Sequence, residues 1–259
     1  PHAVVGYEVD ATEFLKEYKK LNEGCTDKSK KISINTVVMK IICEGLMVAP
    51  KMNCHLKFER KLVRGKLYYH NRVNVSMPVV LPDGRMMTVN LRHMESKNLL
   101  KMTEIINDTM RRMQNTNMDE AMFEVSMDNT IKGLKKGKIK QAIYRLIGSK
   151  TGKHKVRTLK GEAKKKYYAI PEKDRLTKKD IEQGTVTISN LGSIHRNQTG
   201  MCFLLEIIPP QVTAIAVNAI RKQPTVVTDE NGNDSIEIRQ ILPLTIAFDH
   251  KALDYCDIL

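Results

Sequence analysis

A histidine between acids is the group in this chain best suited to chemistry. Asp249 and His250 are adjacent, and Asp254 follows four residues later. An imidazole titrates near neutral pH, so it can act as a general base when another group holds its orientation. The pair closes the stretch Ile241-Leu-Pro-Leu-Thr-Ile-Ala-Phe-Asp-His-Lys-Ala-Leu-Asp254. Six of its first eight residues, Ile241, Leu242, Leu244, Ile246, Ala247 and Phe248, are apolar, which predicts a strand covered on both faces. Such a strand is a stiff mount for a side chain at its end. Taken alone, a His beside acids is more often a solvated surface group.

Other reactive types give less. The five cysteines, Cys25, Cys43, Cys54, Cys202 and Cys256, are odd in number and scattered, with no C-x-x-C. The seven histidines show no metal-ligand spacing. These features predict a reducing compartment and no metal, and Cys43 reads as a small core residue. Met102, Met110 and Met113, at helical spacing, read as gap fillers and not as a cofactor box. No stretch reaches the ~18 apolar residues of a membrane span. The chain begins at Pro1 and stops five residues after Asp254, so both ends read as trimmed.

Charge is concentrated. Between Lys132 and Lys166 stand 14 Lys/Arg and one acid, Glu162, which supplies +13 of the chain's net +14. Within that segment Ile139, Ile143, Leu146 and Ile147 form a short apolar stripe flanked by Lys138, Lys140, Arg145 and Lys150. It reads either as a basic amphipathic helix for an anionic membrane or partner, or as a helix packed on its own domain. The packed reading is preferred. The Lys-rich part after Gly148 is expected to be mobile.

The elements that must position His250 follow from the pattern. Residues 3–10 predict a strand, and Asp10 with Glu13 a capping box opening a helix that ends near Gly24. A second helix starts at Ser33 or Asn35, stops before Pro50, and is apolar enough on several sides to be well buried. Residues 61–69 predict a hairpin turning at Arg64-Gly65; 73–80 and 86–91 are strands joined by a turn at Pro82-Asp83-Gly84. Ser96 is the expected cap of a helix with Leu99, Met102, Ile105, Ile106, Met110 and Met113 on one face. Structure resumes at Thr177. Strands are expected at 184–192 and 211–220, at 225–227 and 235–239 around an Asn231-Gly232 turn, and at 241–248. The class is mixed α/β.

Several of these stretches match a known family. Gly184-Thr-Val-Thr-Ile-Ser-Asn-Leu-Gly192, Pro209-Pro-Gln211, Ala219-Ile-Arg-Lys222 and the 242–254 motif resemble, in this order, the catalytic domain of the acyltransferase component of 2-oxo acid dehydrogenase complexes. Pro1-His2, Glu8-Val-Asp10, Ala49-Pro-Lys-Met-Asn53 and Pro82-Asp-Gly84 resemble further landmarks. The resemblance implies one chloramphenicol acetyltransferase-like α/β domain over 1–259, an α+β two-layer sandwich on a mixed sheet, with an insertion at about 115–174. It implies homotrimers or larger assemblies with sites between subunits. The implied reaction moves an acyl group between a dihydrolipoyl thiol and coenzyme A, the dihydrolipoamide being carried on a separate or missing lipoyl domain. It implies His250 as base, Ser189 as oxyanion donor from a neighbouring subunit, and Asp254 as the residue that holds the loop and orients groups around the imidazole. The implied compartment is the cytoplasm, or the mitochondrial matrix in a eukaryote.

The chain departs from the family's D-H-R-x-x-D-G pattern at Lys251, in place of Arg, and at Tyr255, in place of Gly; Thr88 also stands where Pro is usual. A left-handed backbone at Tyr255 would cost ~1–2 kcal/mol, and a close approach there would crowd the thiol channel. The alternative function is therefore a catalytically impaired homologue acting as a trimeric scaffold that docks a partner through the basic insertion. Nucleic-acid binding is disfavoured, because Tyr144, Tyr167 and Tyr168 are the only aromatics interleaved with the basic segment.

Overall fold

The computed structural model describes residues 2–81, 84–135, 137, 139–151, 158–194, 200–203 and 205–258. Pro1, the Pro82-Asp83 part of the expected turn and residues 152–157 of the Lys-rich stretch lie outside them, as do the side chains of Lys138, Arg145, Leu146 and Lys150.

The chain runs β1 (His2–Asp10), α1 (Thr12–Leu21), α2 (Ile34–Val48), β2 (Cys54–Glu59), β3 (Arg64–Tyr69), β4 (Val75–Val80), β5 (Met86–Leu91) and α3 (Leu99–Gln114). Then come α4 (Met118–Lys135), α5 (Ile139–Lys150), α6 (Gly161–Ala169), α7 (Lys178–Ile181), β6 (Val186–Asn190) and α8 (Leu191–Ile194). The strands β7 (Thr213–Val217), β8 (Arg221–Thr228) and β9 (Asp234–Asp249) complete the fold. One seven-stranded sheet has the order β1-β9-β7-β6-β4-β5, with β8 paired to β9, and β2-β3 form a separate hairpin. β6 is parallel to β4 and β7, and the other pairs are antiparallel, so the sheet is mixed as expected.

The core lies on one face of this sheet. Val38, Met39, Cys43 and Leu46 of α2 and Met102 and Met113 of α3 cluster with Val75, Val89, Leu91, Val186, Ile188 and Phe248. The opposite face is covered more thinly: Ala214 and Ala247 pack beneath Ile207, with Val4 and Leu205 alongside. This is the expected two-layer arrangement. Among the described residues no helix is long and apolar enough to cross a membrane.

Local chemistry explains where expectation and structure part. Ser33 caps α2 as expected, its Oγ accepting from Thr36 N at 3.1 Å, a contact typically worth ~1 kcal/mol. The burial expected for α2 is one-sided, since Ile41, Met47 and Val48 are exposed. Asp10 does not cap with Glu13. Its carboxylate accepts from Thr12 N and Oγ1 at 2.9 and 2.5 Å, and α1 begins two residues later. Ser96 yields to Asn98, whose Oδ1 accepts from Lys101 N at 2.8 Å. The β2-β3 hairpin turns before Arg64, through Val63 at φ 49°, and Gly65 lies in a strand opposite Phe58. Finally, the two strands expected at 235–239 and 241–248 are one 16-residue strand, β9. Its first half pairs with β8, and its second half lies between β1 and β7. Pro243 lacks a donor, but its carbonyl accepts from Asn218 N and Nδ2 at 3.0 and 3.2 Å just beyond the end of β7.

Candidate active site

β9 ends in a tight turn held by two buried anchors, Phe248 and Leu253. Asp249 organises it. Its N–H donates to Val212 O at 2.8 Å, and its carbonyl accepts from Ala252 and Leu253 N–H at 2.8 and 3.1 Å. Its carboxylate accepts from Lys251 N at 3.0 Å. His250 is left exposed at the corner. Its Nδ1 lies 3.0 Å from Leu253 O. A carbonyl only accepts, so that bond places the ring proton on Nδ1 and leaves Nε2 with a free lone pair. The imidazole is thereby set as a base at Nε2. The rings of Phe248 and Tyr255 stand edge-on to it, with centroids 5.9 and 6.0 Å away.

Asp254 does not form this bond. Its carboxylate accepts from Tyr255 N at 2.8 Å, and its N–H donates to the Asp257 carboxylate at 2.9 Å. That reciprocal cap starts a short 3₁₀ turn, Tyr255–Asp257, and Lys51, in the turn Pro50–Met52 that follows α2, pairs with Asp257 at 2.7 Å. Tyr255 stands inside the turn. Among the described non-glycine residues only Val63 and His93 have positive φ, so Tyr255 carries no left-handed strain.

Ser189 is buried in β6 and pairs with Ala216, which pairs with Thr245. Thr245 precedes His250 by five residues. At ~3.3 Å per residue and ~4.8 Å per strand, Ser189 and His250 are roughly 20 Å apart. One chain does not bring them together. Ser189 shares the thinly covered sheet face with Ala216, whereas Asn190 faces α2 and donates to Asn35 Oδ1 at 2.7 Å.

Beside the His250 turn lies a cleft of about 800 Å³ between the β2-β3 hairpin and residues 207–211. Leu56, Phe58, Ile207, Pro209 and Pro210 give it apolar walls, and Lys57, Arg60 and Lys251 bring cations. The Lys251 ammonium stands 5.3 Å from the centre of the Phe58 ring. His55 and His70 stack edge-on in the cleft, centroids 4.2 Å apart. Burial lowers the pKa of both, and the charge of His70 lowers that of His55 further. His55 Nε2 donates to Gly184 O at 3.3 Å, and Gln211 Nε2 to the same carbonyl at 2.9 Å. Gly184 is needed here because a Cβ would fall 2.2 Å from the Asn74 carbonyl oxygen. Sequence reasoning missed this cleft as a unit: His2, Pro209, Pro210, Gln211, Asp249 and Lys251 stand in the quoted motifs, but the hairpin residues from His55 to His70 that form its other wall stand in none. Burial pushes the Cys43 and Cys54 thiols up to about 12 and about 11, so neither is a nucleophile.

The sequence model of the family described as 2-oxoacid dehydrogenases acyltransferase (catalytic domain) matches residues 1–127 and 153–257. The dihydrolipoyllysine-residue acetyltransferase component of the pyruvate dehydrogenase complex from Mycobacterium bovis is 36% identical over 78 residues, which is 30% of this chain and 13% of that protein. The same component from Rickettsia bellii is 23% identical over 255 residues, 98% of this chain and 43% of the relative. The chain thus spans less than half the length of these curated relatives. The solved cubic core of the pyruvate dehydrogenase multienzyme complex superposes with a TM-score of 0.62 at 17% identity, over 100% of this chain and 76% of that one, a likeness of fold.

Proposed function

This chain belongs to the family of 2-oxoacid dehydrogenase acyltransferase catalytic domains, and from that premise we propose that it moves an acyl group between a dihydrolipoyl thioester and coenzyme A. The observation that carries the reading is the 3.0 Å bond from His250 Nδ1 to Leu253 O, which leaves Nε2 as a base at the end of a strand paired on both sides.

The chemistry follows from that lone pair. A thiol of pKa near 8.5 is only a few per cent thiolate at pH 7. Nε2 takes the proton of the attacking thiol as its sulfur bonds to the thioester carbonyl carbon. The C=O electron pair moves onto oxygen. When that oxyanion collapses, the other C–S bond breaks, and the departing sulfur receives the proton from Nε2. General base help of this kind is typically worth roughly a hundred- to ten-thousand-fold. Ser189 Oγ donates to the oxyanion, a contact worth ~3 kcal/mol when preorganised. The separation of Ser189 from His250 within one chain supports its supply by a neighbouring subunit, and hence a homotrimer or larger assembly. Asp254 keeps the turn closed, so its effect on the imidazole passes through Leu253. Coenzyme A and a dihydrolipoyl group borne outside this domain are the substrates.

The test is acyl exchange between acyl-dihydrolipoamide and coenzyme A. His250→Ala is expected to lower kcat at least a hundredfold, with KM for coenzyme A little changed. Exchange that survives His250→Ala at the wild-type rate would sink the mechanism.

A further inference from the structure

We propose that the α4-α5 segment docks this chain on an anionic lipid surface, with the isoleucines of α5 set at the headgroup–acyl boundary and the lysines around them over acidic headgroups. The match to the family model breaks at residues 128–152, which hold the end of α4 and all of α5. This surface is therefore a feature of the chain beyond the shared domain. Ile139, Ile143 and Ile147 recur every four residues and line one side of α5. They are 58%, 49% and 54% exposed, and Tyr144 beside them is 74% exposed. Ala142, on another side of the helix, is buried. Ile131 and Leu134 at the end of α4 add two more exposed apolar groups. α5 is thus packed through Ala142, while the described isoleucines of its stripe stay about half exposed.

Charge and shape select the occupant. The segment from Lys132 to Lys166 carries net +13 in sequence, and among its described residues Lys132, Lys135 and Lys140, near the isoleucines along the chain, are exposed. An aliphatic stripe among lysines is the pattern of helices that lie in a membrane interface, where apolar burial and attraction to acidic lipid add together. No described residue of α5 lines the clefts at β2-β3, at α2-α3, at α2-β7 or between β5 and α4. A peptide partner would need such a cleft. A second copy docked face to face would set +13 against +13. A nucleic acid would neutralise the lysines and leave the isoleucines in water.

The experiment is co-sedimentation of the full chain with vesicles of phosphatidylcholine alone, or of equal phosphatidylcholine and phosphatidylglycerol, at low and high salt. Binding is expected only to the anionic vesicles and to weaken as salt rises. The triple variant I139S, I143S, I147S is expected to bind about tenfold more weakly, with its helical content, oligomeric state and acyl exchange in solution unchanged. Three results would overturn the proposal: no binding to anionic vesicles, binding that the triple variant retains in full, or a triple variant that instead loses self-association.

Discussion

At the scale of single residues, the candidate site rests on one proton position. His250 carries its ring proton toward Leu253 O, and among the described residues this bond to a carbonyl, not a carboxylate, sets Nε2 as the base. The sequence motif points to His250 and Asp254 but hides the division of labour between them. Spacing shows that an acid lies four residues on; it does not show that its carboxylate is spent on Tyr255 N. Tyr255 was the residue most at odds with the family pattern, and its backbone is an ordinary 3₁₀ turn. Glycine is therefore not needed there for conformation. Tyr255→Gly is expected to lower unfolding stability by about 1 kcal/mol in urea titrations, from lost ring contacts and added chain freedom. A rise in stability would instead mean that the ring is strained.

At the scale of elements, the readable parts are those whose pattern is local. The second half of β9 declared itself by a nearly continuous apolar run, and α3 by its 3.6-residue stripe. The hairpin misled because Arg64-Gly65 is a familiar turn pair, while the turn residue with positive φ is Val63, which local rules disfavour there. Ser96 lost its capping role to Asn98 two residues on, and the Asp10 carboxylate is held by Thr12 instead of sharing a capping box with Glu13. The His55-His70 contact was beyond sequence reasoning, because it depends on the hairpin folding against Gly184. That contact has a pH consequence. Burial holds both histidines below their ordinary value of 6.5. Unfolded chains bind these protons first, so the packing of the hairpin is at full strength above about pH 6.5 and weakens as pH falls through the lowered folded values. The urea midpoint of the wild type is expected to drop between about pH 7 and pH 5, and His70→Gln to flatten that slope. Equal slopes would show that the pair titrates freely.

At the scale of the whole molecule, the chain carries the two halves of the proposed site on β6 and at the end of β9, with β7 between them. If neighbouring subunits complete each other, Ser189→Ala and His250→Ala chains mixed while unfolded and refolded together should regain exchange. About a quarter of the sites would then have both groups intact. No recovery would place both groups in one chain. The geometry of β9 also sets how this protein can vary in length. Its first half pairs only with β8 and ends in the loop at 229–233, so the ribbon can gain or lose residues in cross-strand pairs while His250 stays in place. Its second half is locked between β1 and β7, where a single inserted residue would turn Phe248 out of the core and His250 to the other face. Insertions and deletions among close homologues are thus expected to collect at one end of this strand and to be barred from the other.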